Sequence, residues 1–85
     1  MTLLTLTFLM EKYGVRVNLE VLAVILDTTP GNLRRRISLG DLEIPTYLDS
    51  GRRWADIRDV AHYLDACRQN ALEAHRTALG AYPGV

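Results

Sequence analysis

Hydrophobic residues recur along the chain at spacings that change from segment to segment, and these spacings predict its elements. Apolar side chains three or four residues apart predict a first helix over residues 5–13, ended by Gly14. The alternation of apolar residues with threonine over residues 4–8 also fits a strand, and that alternative stays open. Residues 15–17 then predict a short extended piece before the next helix.

Two short helices are predicted in the middle of the chain. Asn18 is a suitable N-cap for an apolar run over residues 19–26, which predicts a second helix that is largely buried. Thr29 supplies a capping hydroxyl and Pro30 suits the first helical position, so a third helix begins there and ends at Gly40. Two short helices separated by about three residues are typical of a helix-turn-helix.

A β-hairpin is predicted after the third helix. Residues 44–48 resemble a strand, residues 49–51 have turn composition, and residues 52–55 form the return strand. Pro45 has no N–H to donate, so the first strand lies at an edge or begins after the proline. Trp54 is expected to hold the hairpin to the core.

The last predicted helix covers residues 58–79, which contain no proline or glycine. Its apolar residues are of two kinds. Those expected to pack on the domain are Ile57, Val60, Ala61 and Leu64, with His62 at the boundary of the core. Those expected to form an oligomerisation stripe, or to pack on the first helix, are Cys67, Ala71, Ala74 and Ala78, and Cys67 is also expected to be a small core residue. A loose tail is expected over residues 80–85.

Eighty-five residues suffice for one domain, predicted over residues 1–79, but not for two hydrophobic cores. The fold class that follows is mainly α with a small β-hairpin wing, a winged helix-turn-helix.

Ten basic and ten acidic residues leave the chain neutral, yet residues 28–58 contain six arginines against four acids. Both flanks have two basic and three acidic residues. The middle of the chain is therefore its cationic part.

The third helix carries one arginine cluster and the hairpin carries the other. If Leu33 and Ile37 face the core, a rotation of about 100° per residue directs Arg35 away from it. Arginine and asparagine bond bidentately to guanine and adenine, so Asn32 and Arg35 are the predicted base readers, with the flanking arginines on phosphates. The predicted DNA-binding residues are Thr29, Gly31, Asn32, Arg34, Arg35, Arg36, Ser38, Arg52 and Arg53. A solvated surface is the simpler interpretation of each arginine cluster taken alone.

The sequence favours no enzyme, metal or cofactor. His62 and His75 lie thirteen residues apart, out of phase on one helix, and cannot converge on a metal ion. Neither serine has a recognisable histidine partner, and no glycine loop suits a phosphate. A single cysteine excludes an internal disulfide and favours a reducing compartment. The N-terminal segment fits neither a signal peptide nor a membrane span, so a cytoplasmic location is expected.

Several of these motifs, in this order, resemble a known family. The resembling segments are Tyr13-Gly14, Val17-Asn18-Leu19-Glu20, Thr29-Pro30-Gly31-Asn32-Leu33-Arg34-Arg35, Leu42-Glu43-Ile44-Pro45 and residues 56–65. They are similar to the pyocin activator proteins called PrtN, phage-derived transcriptional activators related in outline to MerR-like winged-helix excisionases such as Xis and Cox. The resemblance spans about residues 3–70. It implies a groove-reading helix over residues 30–39 and a wing over residues 48–54.

The first functional hypothesis is therefore a phage-type regulator that binds duplex DNA sequence-specifically, either an activator or an excisionase-like architectural factor. A homodimer or side-by-side oligomer on DNA is expected, with RNA polymerase or another regulator as further candidate partners. The alternative is a protein-interaction module, such as an antirepressor or adaptor, on the same scaffold. The acidic flanks and the stripe of small residues on the last helix motivate that alternative.

Overall fold

The computed structural model describes residues 3–80 and is mainly helical, with a small antiparallel sheet. Helix α1 covers Leu3–Tyr13, followed by strand β1 at Arg16–Asn18. The two middle helices are α2 at Leu19–Ile25 and α3 at Pro30–Leu39. Strands β2 at Tyr47–Asp49 and β3 at Arg52–Asp56 form a hairpin, and helix α4 covers Ile57–Gly80.

Local hydrogen bonds set the limits of the two middle helices. The side chain of Asn18 accepts a bond from the Val21 amide at 2.9 Å and caps α2. The hydroxyl of Thr29 accepts a bond from the Asn32 amide at 3.1 Å and caps α3. At the far end of α3, Gly40 adopts a left-handed conformation with φ of 72°. The capping residues predicted from the sequence are confirmed.

The sheet has three strands in the order β1, β3, β2, so β3 is central. In β1, Val17 lies opposite Ala55 of β3, and both side chains are buried. In the hairpin, Leu48 lies opposite Arg53. The extended piece predicted after α1 is therefore a sheet strand, although its partner lies far along the chain.

One hydrophobic core joins every helix and strand except β2, whose three residues are exposed. Eleven residues form it: Leu9, Val17, Leu19, Leu22, Ala23, Leu33, Ile44, Ala55, Ile57, Val60 and Ala61. No polar or charged side chain among residues 3–80 is buried. Leu22 and Leu33 are fully buried and bring α2 and α3 to the same core. The buried face expected for the start of the last helix is confirmed.

One expectation about the hairpin is confirmed and another is wrong. Its first strand lies at an edge of the sheet and begins at Tyr47, after the proline, because Pro45 has no N–H to donate and the Ile44 side chain is buried in the core. Trp54 does not hold the hairpin to the core. It is half-buried on the side of the sheet opposite Ala55, and its indole Nε1 donates to the Asp49 carbonyl at 3.2 Å.

The second half of α4 extends beyond the core. No α4 residue after Ala61 is buried, and the side chain of Cys67 is exposed. The expectation that Cys67 is a core residue is therefore wrong, and His62, expected at the core boundary, is exposed as well. Helix α4 is longer than the elements against which it packs, so its second half has no core to cover it. Gly80, expected in a loose tail, still belongs to α4, and the rest of that tail lies outside the described residues.

Candidate nucleic-acid interface

Helix α3 packs on the core through two apolar residues and presents a cationic outer side. Leu33 is fully buried, and Ile37 packs against the edge of the core. Arg34 and Arg35 are exposed. Gly31 is exposed too, and a Cβ atom added there would meet no other atom within 4 Å. Packing therefore does not explain the glycine, whose predicted role at DNA stays a prediction.

Asn32 connects the start of α3 to its outermost arginine. Its side-chain Nδ2 donates to the Thr28 hydroxyl at 3.0 Å, and its Oδ1 accepts from Arg35 Nη2 at 2.9 Å. Both ends of the amide are thus occupied within the chain. In this arrangement Asn32 orients Arg35, and each end of its amide keeps one further hydrogen bond that it could make to a base.

An open cleft of about 810 Å³ separates α3 from the hairpin. Helix α3 contributes Arg34 and Ser38 to its walls, and the hairpin contributes Arg52 and Arg53. The other lining residues are Asn18, Leu19, Glu20, Ile37, Leu48 and Gly51. The structure therefore brings together four of the nine predicted DNA-binding residues, including arginines from both clusters.

The three arginines of this cleft differ in their partners. Arg53 Nη1 donates to the Thr46 hydroxyl at 2.8 Å, which holds the guanidinium group beside the residue that precedes β2. Arg34 Nη2 lies 3.6 Å from Glu20 Oε1, across the cleft wall. The side chain of Arg52 has no hydrogen bond or ion pair within residues 3–80, although its backbone is paired in the hairpin. Two of the guanidinium groups are thus positioned by the fold, and the third is available to a ligand.

The remaining predicted site residues lie outside the cleft. Arg36 is half-buried on the other flank of α3, where its Nη2 donates to the Asp41 carbonyl at 3.1 Å. Its Nε lies 3.5 Å from the Asp41 carboxylate. Arg36 thus binds Asp41, just beyond the C-terminal end of α3, and its charge is close enough to Tyr63 of α4 to act on the pKa of that phenol. Thr29 acts as the cap of α3.

Sequence reasoning missed Arg16 of β1. Its guanidinium carbon lies 4.0 Å from the centre of the Trp54 ring, and its Nη1 donates to Asp49 Oδ2 at 2.7 Å. This hydrogen bond lowers the pKa of Asp49 and raises that of Arg16. Arg16 therefore braces the hairpin against β1. A single arginine between two valines carries no signal for that role, which depends on the pairing of β1 with β3.

The predicted oligomerisation residues Cys67, Ala71, Ala74 and Ala78 are all exposed on the projecting half of α4. The Cys67 thiol lies beside the Tyr63 phenol, and this contact raises the pKa of Tyr63. The alternative that the stripe packs on α1 is wrong for these side chains, because such packing would bury them.

Within the described part of the chain, no group of three or more histidine, cysteine or acidic side chains could hold a metal ion. No helix among residues 3–80 has the length and apolar character needed to cross a membrane. Comparison with protein-family models, curated proteins and solved structures found no significant match to this chain. The resemblance to pyocin activators stays a prediction from the motifs.

Proposed function

We propose that this chain is a winged helix-turn-helix protein that binds duplex DNA and regulates a phage or prophage function. The observation that supports the proposal best is the cleft shared by α3 and the hairpin. It gathers Arg34, Arg52 and Arg53 from two separate parts of a chain that is neutral overall. Cationic side chains concentrated on one surface attract the phosphate backbone and lose affinity as salt rises.

In the proposed complex, α3 enters the major groove and the hairpin contacts the adjacent backbone. Arg35 is exposed on the outer side of α3 and held at 2.9 Å by Asn32, a fitting arrangement for a base-reading side chain. The cleft arginines are assigned to phosphates. Arg36 is left out of the contact set, because Asp41 already holds it.

The test begins with selection of duplex fragments by the purified protein from a random pool, followed by binding titrations across salt concentrations. With Arg34, Arg52 and Arg53 on phosphates and Arg35 on a base, log affinity should fall against log salt with a slope of about −2.7. Arg52→Ala should reduce the magnitude of that slope by about 0.9. Arg35→Glu should abolish binding and leave the helical circular dichroism intact.

Arg76→Ala is the matched control for these variants, because Arg76 is exposed on α4 and does not line the cleft. It should bind as the unaltered protein does. Equal losses from Arg76→Ala and Arg52→Ala would contradict the assignment to the cleft. Absence of DNA binding at low salt, with specific capture of a purified regulator, would favour an antirepressor or adaptor instead.

A further inference from the structure

Glu20 is the only acidic residue among those that line the cleft within residues 3–80. It lies in the first turn of α2, opposite Arg34 of α3. Its carboxylate oxygen is 3.6 Å from Arg34 Nη2, and the two side chains are 64% and 60% exposed. The surface proposed to receive a polyanion thus contains one fixed negative charge, adjacent to one of its three arginines.

Two effects follow when a phosphate group enters this cleft. The phosphate must compete with Glu20 for the Arg34 guanidinium, and an ion pair this exposed is weak enough to be exchanged. The carboxylate also repels a phosphate that lies within the screening distance of about 8 Å at physiological salt. Both effects reduce affinity, and neither depends on the base sequence.

We propose that Glu20 limits the affinity of the cleft for the DNA backbone by holding Arg34, and so sets the strength of binding without changing sequence preference. This inference rests on the proposed DNA-binding function. It gives the ion pair between α2 and α3 a role beyond that of joining two helices. Arg34 then contacts phosphate only after it leaves Glu20.

The first experiment compares Glu20→Gln with the unaltered protein on two duplexes, one selected and one unrelated. The substitution should raise the affinity for both by a similar factor, about 2- to 5-fold, since an exposed pair of this kind has a modest energy. It should also steepen the salt dependence, by up to about 0.9 in slope. Glu73→Gln is the matched control, with the same change of charge on the projecting part of α4. It should alter affinity by less than about 2-fold, because screening weakens a distant charge.

The second experiment repeats Glu20→Gln in an Arg34→Gln background and completes a double-mutant cycle. If Glu20 acts mainly by holding Arg34, most of the gain in affinity from its substitution should be lost in that background, and only the smaller part due to repulsion of phosphate should remain. A full effect of Glu20→Gln without Arg34 would overturn the proposal, because the carboxylate would then act only through the general field. Equal affinities of the unaltered protein and Glu20→Gln would overturn it as well.

Thermal unfolding and circular dichroism establish that each variant is folded, and Glu20→Ala provides a second substitution at the same position. The binding results distinguish failure of the proposed DNA-binding function from failure of this inference. In the first case, neither the folded unaltered protein nor folded Glu20→Gln binds any duplex at low salt, and the inference falls with the function. In the second case, both bind DNA equally well.

Discussion

Ser50 has a backbone conformation that few residues other than glycine adopt. Its φ is 53°, and the following Gly51 has a φ of 77°, between paired residues Asp49 and Arg52. Positive φ at both central residues defines a type I′ turn, which suits the twist of a two-residue hairpin. Asn-Gly is preferred there, because asparagine tolerates the left-handed region better than serine does.

Ser50→Asn should therefore stabilise the protein by about 0.5 to 1 kcal/mol, as optimised turn residues commonly do. In a domain of this size, a gain of 1 kcal/mol raises Tm by about 4 to 8 °C. Thermal unfolding followed by circular dichroism measures the change. Ser50→Val should lower Tm, since a β-branched side chain opposes positive φ. A lower Tm for the asparagine variant would contradict the turn assignment.

Asp49 and Asp56 each carry a pKa lowered from the ordinary value of 3.8, chiefly by hydrogen bonds from Arg16 and Arg58 respectively. The unfolded chain therefore takes up protons at higher pH than the folded chain does. The stability that these carboxylates provide is complete above the unfolded pKa of about 3.9. It is lost as pH falls through the lower folded values.

Asp49→Asn should accordingly lower Tm at pH 7, and the difference from the unaltered protein should narrow as pH falls below about 4. Tm measured from pH 7 down to pH 2.5 tests this dependence. Arg16→Gln removes the partner and should show the same narrowing, together with a pH-independent loss from the missing contact with Trp54. A difference that stays constant across the range would exclude the ion pair as its cause.

At the scale of elements, α3 shows how little packing is needed to position a cationic surface. Leu33 is its one buried residue, while the following two arginines are exposed. The N-cap and the left-handed glycine define the two ends of α3, and Leu33 determines which side faces inward. The orientation of the proposed reading face thus depends mainly on Leu33, with Ile37 beside it at the edge of the core.

Leu33→Ala should destabilise the protein by about 2 to 5 kcal/mol, the usual range for loss of a fully buried leucine. Leu39, on the same helix, is 64% exposed. Leu39→Ala is the matched control and should change the free energy of unfolding by less than about 0.5 kcal/mol, as surface substitutions usually do. Urea denaturation provides both values. Similar losses for the two leucines would contradict the assignment of Leu33 to the buried side of α3.

At the scale of the whole molecule, α4 extends far from a small core, and the longest dimension of the chain is 59 Å against 30 and 17 Å. An isolated helix of about 12 to 15 residues is marginally stable in water. The projecting half of α4 gains little stability from packing against the rest of this chain. A second copy paired along Cys67, Ala71, Ala74 and Ala78 would stabilise it, as the homodimer hypothesis requires.

Ala71→Glu should convert such a dimer to a monomer, because it places a charge in the centre of the stripe, where small side chains permit close approach. Gln69→Glu introduces a negative charge on the opposite side of α4 and should leave the oligomeric state unchanged. Sedimentation equilibrium of both variants and of the unaltered protein provides the test. A monomer at every concentration of the unaltered protein would end the dimer hypothesis.

Local interactions explain which features could be predicted from the sequence. The caps of α2 and α3 join residues three positions apart, and Gly40 acts within its own helix end. The buried face at the start of α4 follows from helical periodicity alone. Such features depend on neighbours within a turn or two, so residue type and spacing predicted them correctly.

Contacts between distant segments decided the rest. Arg16 and Asp49 are 33 positions apart, and only the pairing of β1 with β3 places them together on Trp54. The burial of Ile44 and the exposure of Cys67 depend on where the core begins and ends. A local sequence pattern does not contain that information. The amino-acid sequence by itself determined the second, third and fourth helices, the caps of α2 and α3 and the two arginine clusters, whereas it left the first segment open between helix and strand. Only the tertiary structure decided that Arg34, Arg52 and Arg53 share one cleft with Glu20, because convergence across a fold depends on how its elements pack.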